Sequence, residues 1–193
     1  MITMNRRTSL VSGLSVALVS VINRAASAQG GPQHMEMMNR AYEDGFTVMA
    51  SDARFSTWVS ILQLSGLAPY ARGATQYTVF APTNEAFDQH PQIRAQLLPT
   101  ASETFPDTSV LIPLVRAHVA YGAHPLDEFM GKKVSMKSVN GTPIEVDGTN
   151  PQAITVTWHS VNGQNAQGLL TGQPILASNA DIYPINTVVF KQR

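Results

Sequence analysis

Cysteine is absent from the 193-residue chain. Disulfides, thiolate metal sites and cysteine nucleophiles are thereby excluded. Charge is scarce, at 13% of residues, and it is balanced, with 13 basic and 13 acidic side chains. No basic excess points to nucleic acid. No P-loop, GxGxxG, GxSxG or HExxH motif occurs. The acidic pairs Glu43–Asp44 and Asp127–Glu128 are sequence neighbours near element ends and read as solvated charges. The expectation is a non-catalytic protein without a cofactor. What is plentiful is apolar side chain, 44% of the total. That suffices for the core of one domain of ordinary size, and the composition is not that of a disordered chain.

The N-terminus carries an export pattern. Arg6 and Arg7 form a positive region, Leu10 to Ile22 a short apolar one, and Ala26-Ser27-Ala28 a small-residue cleavage site. The apolar run falls short of the roughly 20 residues that span a bilayer. Residues 1–28 therefore read as a signal peptide, and both Sec and twin-arginine export fit the Arg6-Arg7 pair. Its removal takes away Arg6, Arg7 and Arg24 and no acidic residue, which leaves a mildly acidic mature chain. Residues 29–46 read as a polar lead with a short helix over 35–44, and 47–193 as the folded domain. Within the lead, His34, Met35, Glu36, Met37 and Met38 group soft ligands that would suit copper. The same methionines also suit the buried face of a short helix.

Helical stripes come first along the domain. Phe55, Trp58, Val59 and Leu62 share one helix face, with Gly66 as the stop. Tyr77 to Ala81 reads as a strand that breaks at Pro82. Thr83 is a natural N-cap for the helix that follows, with Glu85 in its first turn. Leu111, Leu114, Val115 and His118 form a second stripe, closed by Gly122. His118 on that face reads as a buried, neutral imidazole.

Strand patterns follow. Val134 to Val139 runs into the hairpin signal Asn140-Gly141, Pro143 to Val146 returns, and Asp147-Gly148 marks another turn. Ile154 to Trp158 alternates. His159 to Gly172 reads as a long polar connection, and Ile175–Ala177 and Ile185–Phe190 as the last strands. Helices ahead of meandering strands predict an α+β domain with mostly antiparallel pairing.

Five segments, in order, resemble one family. TVFAPTNEAF (78–87) resembles the first signature of fasciclin domains, and ILASNADIYPINTVVF (175–190) resembles the second. FSTWVSILQLSGL (55–67), LVRAHVAYG (114–122) and KKVSMKSVNGTPIEV (132–146) are similar to the family's opening helix, its His-containing helix end and its central hairpin. The resemblance implies a wedge of two small, mostly antiparallel sheets of about seven strands, with a helical layer formed by the N-terminal half. It implies an exported, single-domain adhesion or interaction module. The partner would be a surface or matrix protein or a glycan. Because some exported fasciclin proteins bind carotenoids, a carrier of an apolar small molecule is the alternative, with Trp158 and Tyr183 as exposed-loop aromatics.

Thr78, Phe80, Pro82, Thr83, Asn84, Phe87, His118, Asn179 and Tyr183 are then the structural signature positions. The pattern departs at Tyr183, where typical members have His, at Asp181-Ile182 for Val-Ile, at Asn186 for an acid, and at Pro184 within an expected strand. The position of the Asp-Ile adhesion motif of some animal members reads Pro174-Ile175, so integrin-type recognition does not carry over. For partner contact the sequence offers Ser160, Asn162, Gln164 and Asn165 in the polar connection, together with Tyr183.

Overall fold

Two kinds of strand pattern build two four-stranded sheets. The structure, a computed structural model, describes residues 43–98, 107–159 and 165–190. The elements in chain order are α1 (Gly45–Ser51), a 3-10 turn (Ala53–Phe55), α2 (Ser56–Leu64), a second 3-10 turn (Tyr70–Arg72), β1 (Tyr77–Pro82), α3 (Asn84–Asp88), α4 (Pro91–Leu97) and α5 (Thr108–Ala117). They continue with β2 (Val119–Tyr121), α6 (Leu126–Phe129), β3 (Lys133–Lys137), β4 (Pro143–Asp147), β5 (Thr155–Trp158), β6 (Ala166–Leu169), β7 (Ile175–Ala177) and β8 (Ala180–Ile185). One sheet has the order β2-β1-β8-β7 and the other β3-β4-β5-β6. Every pairing is antiparallel except β1 with β8, where Tyr77 lies opposite Ala180 and Pro82 opposite Ile185.

The parallel pair is the centre of the molecule. A parallel pair covered on both faces buries every side chain, and from Thr78 to Pro82 and Ala180 to Ile185 nothing is exposed. Val79, Ala81, Ala180 and Ile182 face the helices and join Phe46, Met49, Trp58, Leu62, Phe87 and Leu114 in one core. Phe80, Tyr183 and Ile185 face the other way and pack on Ile144, Val146, Val156 and Trp158 of the second sheet. The second sheet is covered on one face only, so β4 and β5 alternate in burial. Single bridges join the sheets at Ala120 with Ser138 and at Leu170 with Ile185.

The helix starts are held in different ways. Asp44 accepts from Thr47 N at 2.8 Å to cap α1, and Asp107 accepts from Ser109 N at 2.9 Å to cap α5. The start of α2 has no cap from its own N-cap residue. Asn84, 27 residues away, supplies one: its Oδ1 accepts from Thr57 N at 3.0 Å and its Nδ2 donates to Ala53 O at 2.8 Å.

Several boundaries differ from the sequence pattern. Helix α1 begins at Gly45, inside the stretch assigned to the lead. Helix α5 ends at Ala117 with His118 as its C-cap, and the chain passes directly into β2. The strand expected over 185–190 lies earlier, as β8. Eight strands stand where about seven were expected. The connection 159–172 is not structureless: Ala166 to Leu169 pairs with Trp158 to Thr155 along β5. Leu169 N also donates to Asn186 Oδ1 at 2.7 Å and Thr171 N to Pro184 O at 2.8 Å. Pro184 sits inside β8 without breaking it; it lies opposite Ala81, and its carbonyl still accepts.

Candidate functional site

The signature positions form a scaffold. Thr78 is buried, and its Oγ1 donates to Gly122 O at 2.9 Å and accepts from His124 N at 3.1 Å, which folds the turn after β2 against β1. Phe80 stacks on Tyr183 and meets Trp158 edge-on, both at 5.9 Å between centroids. Pro82 ends β1, and Phe87 is fully buried. Thr83 occupies the N-cap position of α3, yet its hydroxyl makes no cap bond; its carbonyl accepts from Ala86 N instead. The capping role expected of Thr83 therefore belongs to its neighbour Asn84, and it is exercised on α2 rather than α3.

His118 is enclosed between two indoles, 5.2 Å from Trp58 and 5.8 Å from Trp158 by ring centroids. Its Nδ1–H donates to Leu114 O at 2.8 Å, and its Nε2 accepts from Val189 N at 3.0 Å. Those two bonds fix the neutral tautomer. Burial pushes its pKa down to about 4, against a small opposing pull from Leu114 O.

Tyr183 and Trp158 are not exposed-loop residues. Tyr183 is 1% exposed, in the middle of β8, and its hydroxyl donates to His124 O at 2.6 Å. Burial pushes the phenol upward, with the carboxylates of Asp181, Asp127 and Glu128 adding to it, so it remains a donor. Trp158 ends β5, and its Nε1 donates to Ala117 O at 3.0 Å. Both side chains point into the core between the two sheets and are removed from any partner surface. His124 in turn pairs with Glu128 at 3.0 Å, and burial pushes the Asp181 carboxyl upward while His124 opposes it. This cluster braces the end of the first sheet. Among the described residues no three His, Asp or Glu side chains could hold a metal ion. Ser160, Asn162, Gln164 and the His34–Met38 group lie outside the described residues. Asn165, exposed, directly precedes β6.

The concave site lies on the helical side of the first sheet. A cavity of about 190 Å³, open to solvent, is bounded by α1, α2, α5, β1 and β2. Met49, Leu62, Val79 and Val115 give it an apolar floor. Its rim is aromatic. Tyr77 and Tyr121 face each other across β1 and β2 with ring centroids 5.7 Å apart, and Tyr70 joins them from the second 3-10 turn. Tyr70 is 64% and Tyr121 60% exposed, the two most exposed large hydrophobic side chains of the described fold. Arg116, in the last turn of α5, adds the site's cation.

One signature residue does shape this groove. Asn179 accepts from Gly45 N at 2.8 Å and donates to Ala71 O at 3.0 Å and Gly73 O at 2.6 Å. It thereby fastens the start of α1 and the Tyr70 turn to β8, holding two walls in place. Sequence reasoning missed Tyr70, Tyr77, Tyr121 and Arg116 as a group. They come from four elements, and only the β1–β2 register brings two of them together.

The comparisons agree with this architecture. The fasciclin domain family model matches residues 53–190. Transforming growth factor-beta-induced protein ig-h3 from Sus scrofa is 33% identical over 148 residues, covering 74% of this chain. The same protein from Oryctolagus cuniculus is 32% identical over 144 residues, again 74% of the chain. In both cases the chain spans 18% of the relative's length. Among solved structures, a FAS1 domain pair from the insect cell adhesion molecule fasciclin I aligns with a TM-score of 0.63 at 12% identity. It covers 78% of this chain and 51% of that one, a likeness of fold. Family match, relatives and strand topology converge, and the chain belongs to the fasciclin domain family.

Proposed function

We propose that this protein is an exported, non-catalytic interaction module of the adhesion type, and that its contact face is the tyrosine-rimmed groove. The observation that carries the reading is the pair Tyr70 and Tyr121, aromatic and mostly exposed beside an apolar cavity. Tyrosine is the side chain that protein and glycan contacts favour, because it offers large area, little rotamer entropy and a polar tip. Export rests on the N-terminal pattern. No described helix is long and apolar enough to cross a membrane. If the reading is right, protein recovered outside the cytoplasm has a mass that begins at Gln29; an intact N-terminus on that material would overturn it.

The adhesion reading is tested by binding of the full chain to a panel of immobilised matrix proteins and glycans. The Tyr70→Ala/Tyr121→Ala double variant should weaken the contact by about tenfold or more, the size expected for losing aromatic anchors. Its unfolding midpoint should stay within error, since both rings are exposed. Undiminished binding by the double variant would move the contact face elsewhere.

A second reading, a carrier of an apolar small molecule, is favoured by the cavity itself. Its floor is made of side chains that an adhesive surface alone does not need.

A further inference from the structure

The groove's chemistry narrows the guest that the carrier reading leaves open. Its volume of about 190 Å³ compares with cavities of about 150 Å³ that hold a benzene ring when lined by apolar side chains. One or two fused rings fit; a long chain would have to leave through the mouth. The walls favour an aromatic guest, because Tyr77 and Tyr121 already present ring faces and edges at stacking distance from each other. Charge then sets the polarity of the guest's exposed end. Arg116 lines the site, and among the described residues no carboxylate pairs with it. The other nearby cation, Arg72, lies over the Phe46 ring at 4.4 Å and is engaged there. The phenol hydroxyls of Tyr70, Tyr77 and Tyr121 have no protein hydrogen-bond partner among the described residues. The site therefore offers one guanidinium and up to three O–H donors around an apolar floor, and no acidic side chain among the described residues lines it.

We infer that the groove binds a small aromatic carboxylate, ring inward and carboxylate toward Arg116 and the tyrosine hydroxyls. A guanidinium presents paired N–H donors that match a carboxylate. The pair would sit at the mouth in partial contact with water, so its contribution is modest and the apolar floor supplies most of the affinity. The inference rests on the carrier reading of this site and adds the charge and ring size of the guest.

The experiment uses the full chain and two probes of equal shape, 2-naphthoate and the neutral 2-naphthalenemethanol, titrated by calorimetry. Saturable binding of naphthoate below about 1 mM is expected, about fivefold tighter than the alcohol, as a partly exposed ion pair allows. Arg116→Gln should erase that difference while leaving the alcohol's affinity and the unfolding midpoint unchanged, because Arg116 is exposed. Val119→Trp, which fills the cavity from β2, should abolish binding of both. Equal affinity of the two probes in the wild type, or a preference that survives Arg116→Gln, overturns the carboxylate assignment while leaving an apolar carrier. Failure of both probes to bind overturns the carrier reading as well. Neither result bears on the adhesion assay, which has its own tyrosine variant.

Discussion

Acidification from pH 6.5 to pH 4 should cost this fold about 3 kcal/mol of stability through a single side chain, His118. The imidazole has a pKa near 6.5 when the chain is unfolded and about 4 in the fold, and each unit of difference is worth about 1.4 kcal/mol. Because the folded value is the lower one, the unfolded chain binds more protons between the two values. The stabilisation is fully present above about pH 6.5, declines as pH falls, and is exhausted near pH 4. Burial between the indoles of Trp58 and Trp158 is the main cause.

The hydrogen bonds explain why the site cannot adapt. Nδ1–H already donates to Leu114 O, and Nε2 is the acceptor for Val189 N. A second proton would set two N–H donors against each other and release the segment after β8. Cation–π attraction to the two indoles returns part of the cost. Asp181 works in the opposite direction: its carboxyl is pushed upward by burial, so its protonation favours the fold as pH falls. Urea unfolding at several pH values measures the sum, and His118→Asn isolates the histidine, since the amide can still donate to Leu114 O. The slope of stability between pH 6.5 and 4 should largely vanish in that variant. An unchanged slope would assign the acid sensitivity to other groups.

How much of this was legible in the sequence depended on whether a segment is buried on one face or two. Strands β3 to β5 lie on the one-sided sheet, so their alternation and the Asn140-Gly141 turn were sufficient. Strand β8 is buried on both faces and carries Asp181 and Pro184, so neither alternation nor β-propensity located it. Tyr183 accordingly looked like a loop residue. Strand β6, Ala-Gln-Gly-Leu, has no β-branched residue and owes its conformation to pairing with β5. Helix α1 begins at a glycine and is held by Asp44 and, from far along the chain, Asn179. His118 was legible because its helix stripe continues to it. The groove was not, since Tyr70, Arg116 and Tyr121 are unremarkable singly and acquire meaning only when β1 pairs with β2. The closest approach of backbone to a described glycine was equally hidden, in the turn read simply as Asp147-Gly148.

Gly148 should be the least substitutable glycine of the fold, and the reason is contact rather than backbone conformation. It follows β4 and clasps the turn after α6: its N–H donates to Lys132 O at 2.9 Å, and its carbonyl accepts from Gly131 N at 2.8 Å. A Cβ placed there would lie 2.0 Å from Phe129 O and 2.7 Å from Phe129 C. These are backbone atoms, so no rotamer change relieves the overlap. At Gly168, by contrast, a Cβ would meet the side chain of Thr187, which can turn away. At Gly131 there is open space within 4 Å and only a left-handed φ of 76° to satisfy, a cost of about 1–2 kcal/mol.

Gly148→Ala must push α6 away or break both clasp bonds, and overpacking of this kind costs about 3 kcal/mol or more. In a domain of this size that corresponds to a fall in Tm of roughly 10 °C. The displacement also has a direction. Phe129 is fully buried and packs on Tyr183 at 5.5 Å and on His124 at 6.5 Å, so near-ultraviolet dichroism should change along with Tm. Gly131→Ala, at about 1–2 kcal/mol, should lower Tm by roughly half as much and leave the aromatic signal intact. A Gly148→Ala protein as stable as Gly131→Ala would mean that the turn yields easily, and that α6 is not clasped to the second sheet in the way its two hydrogen bonds imply.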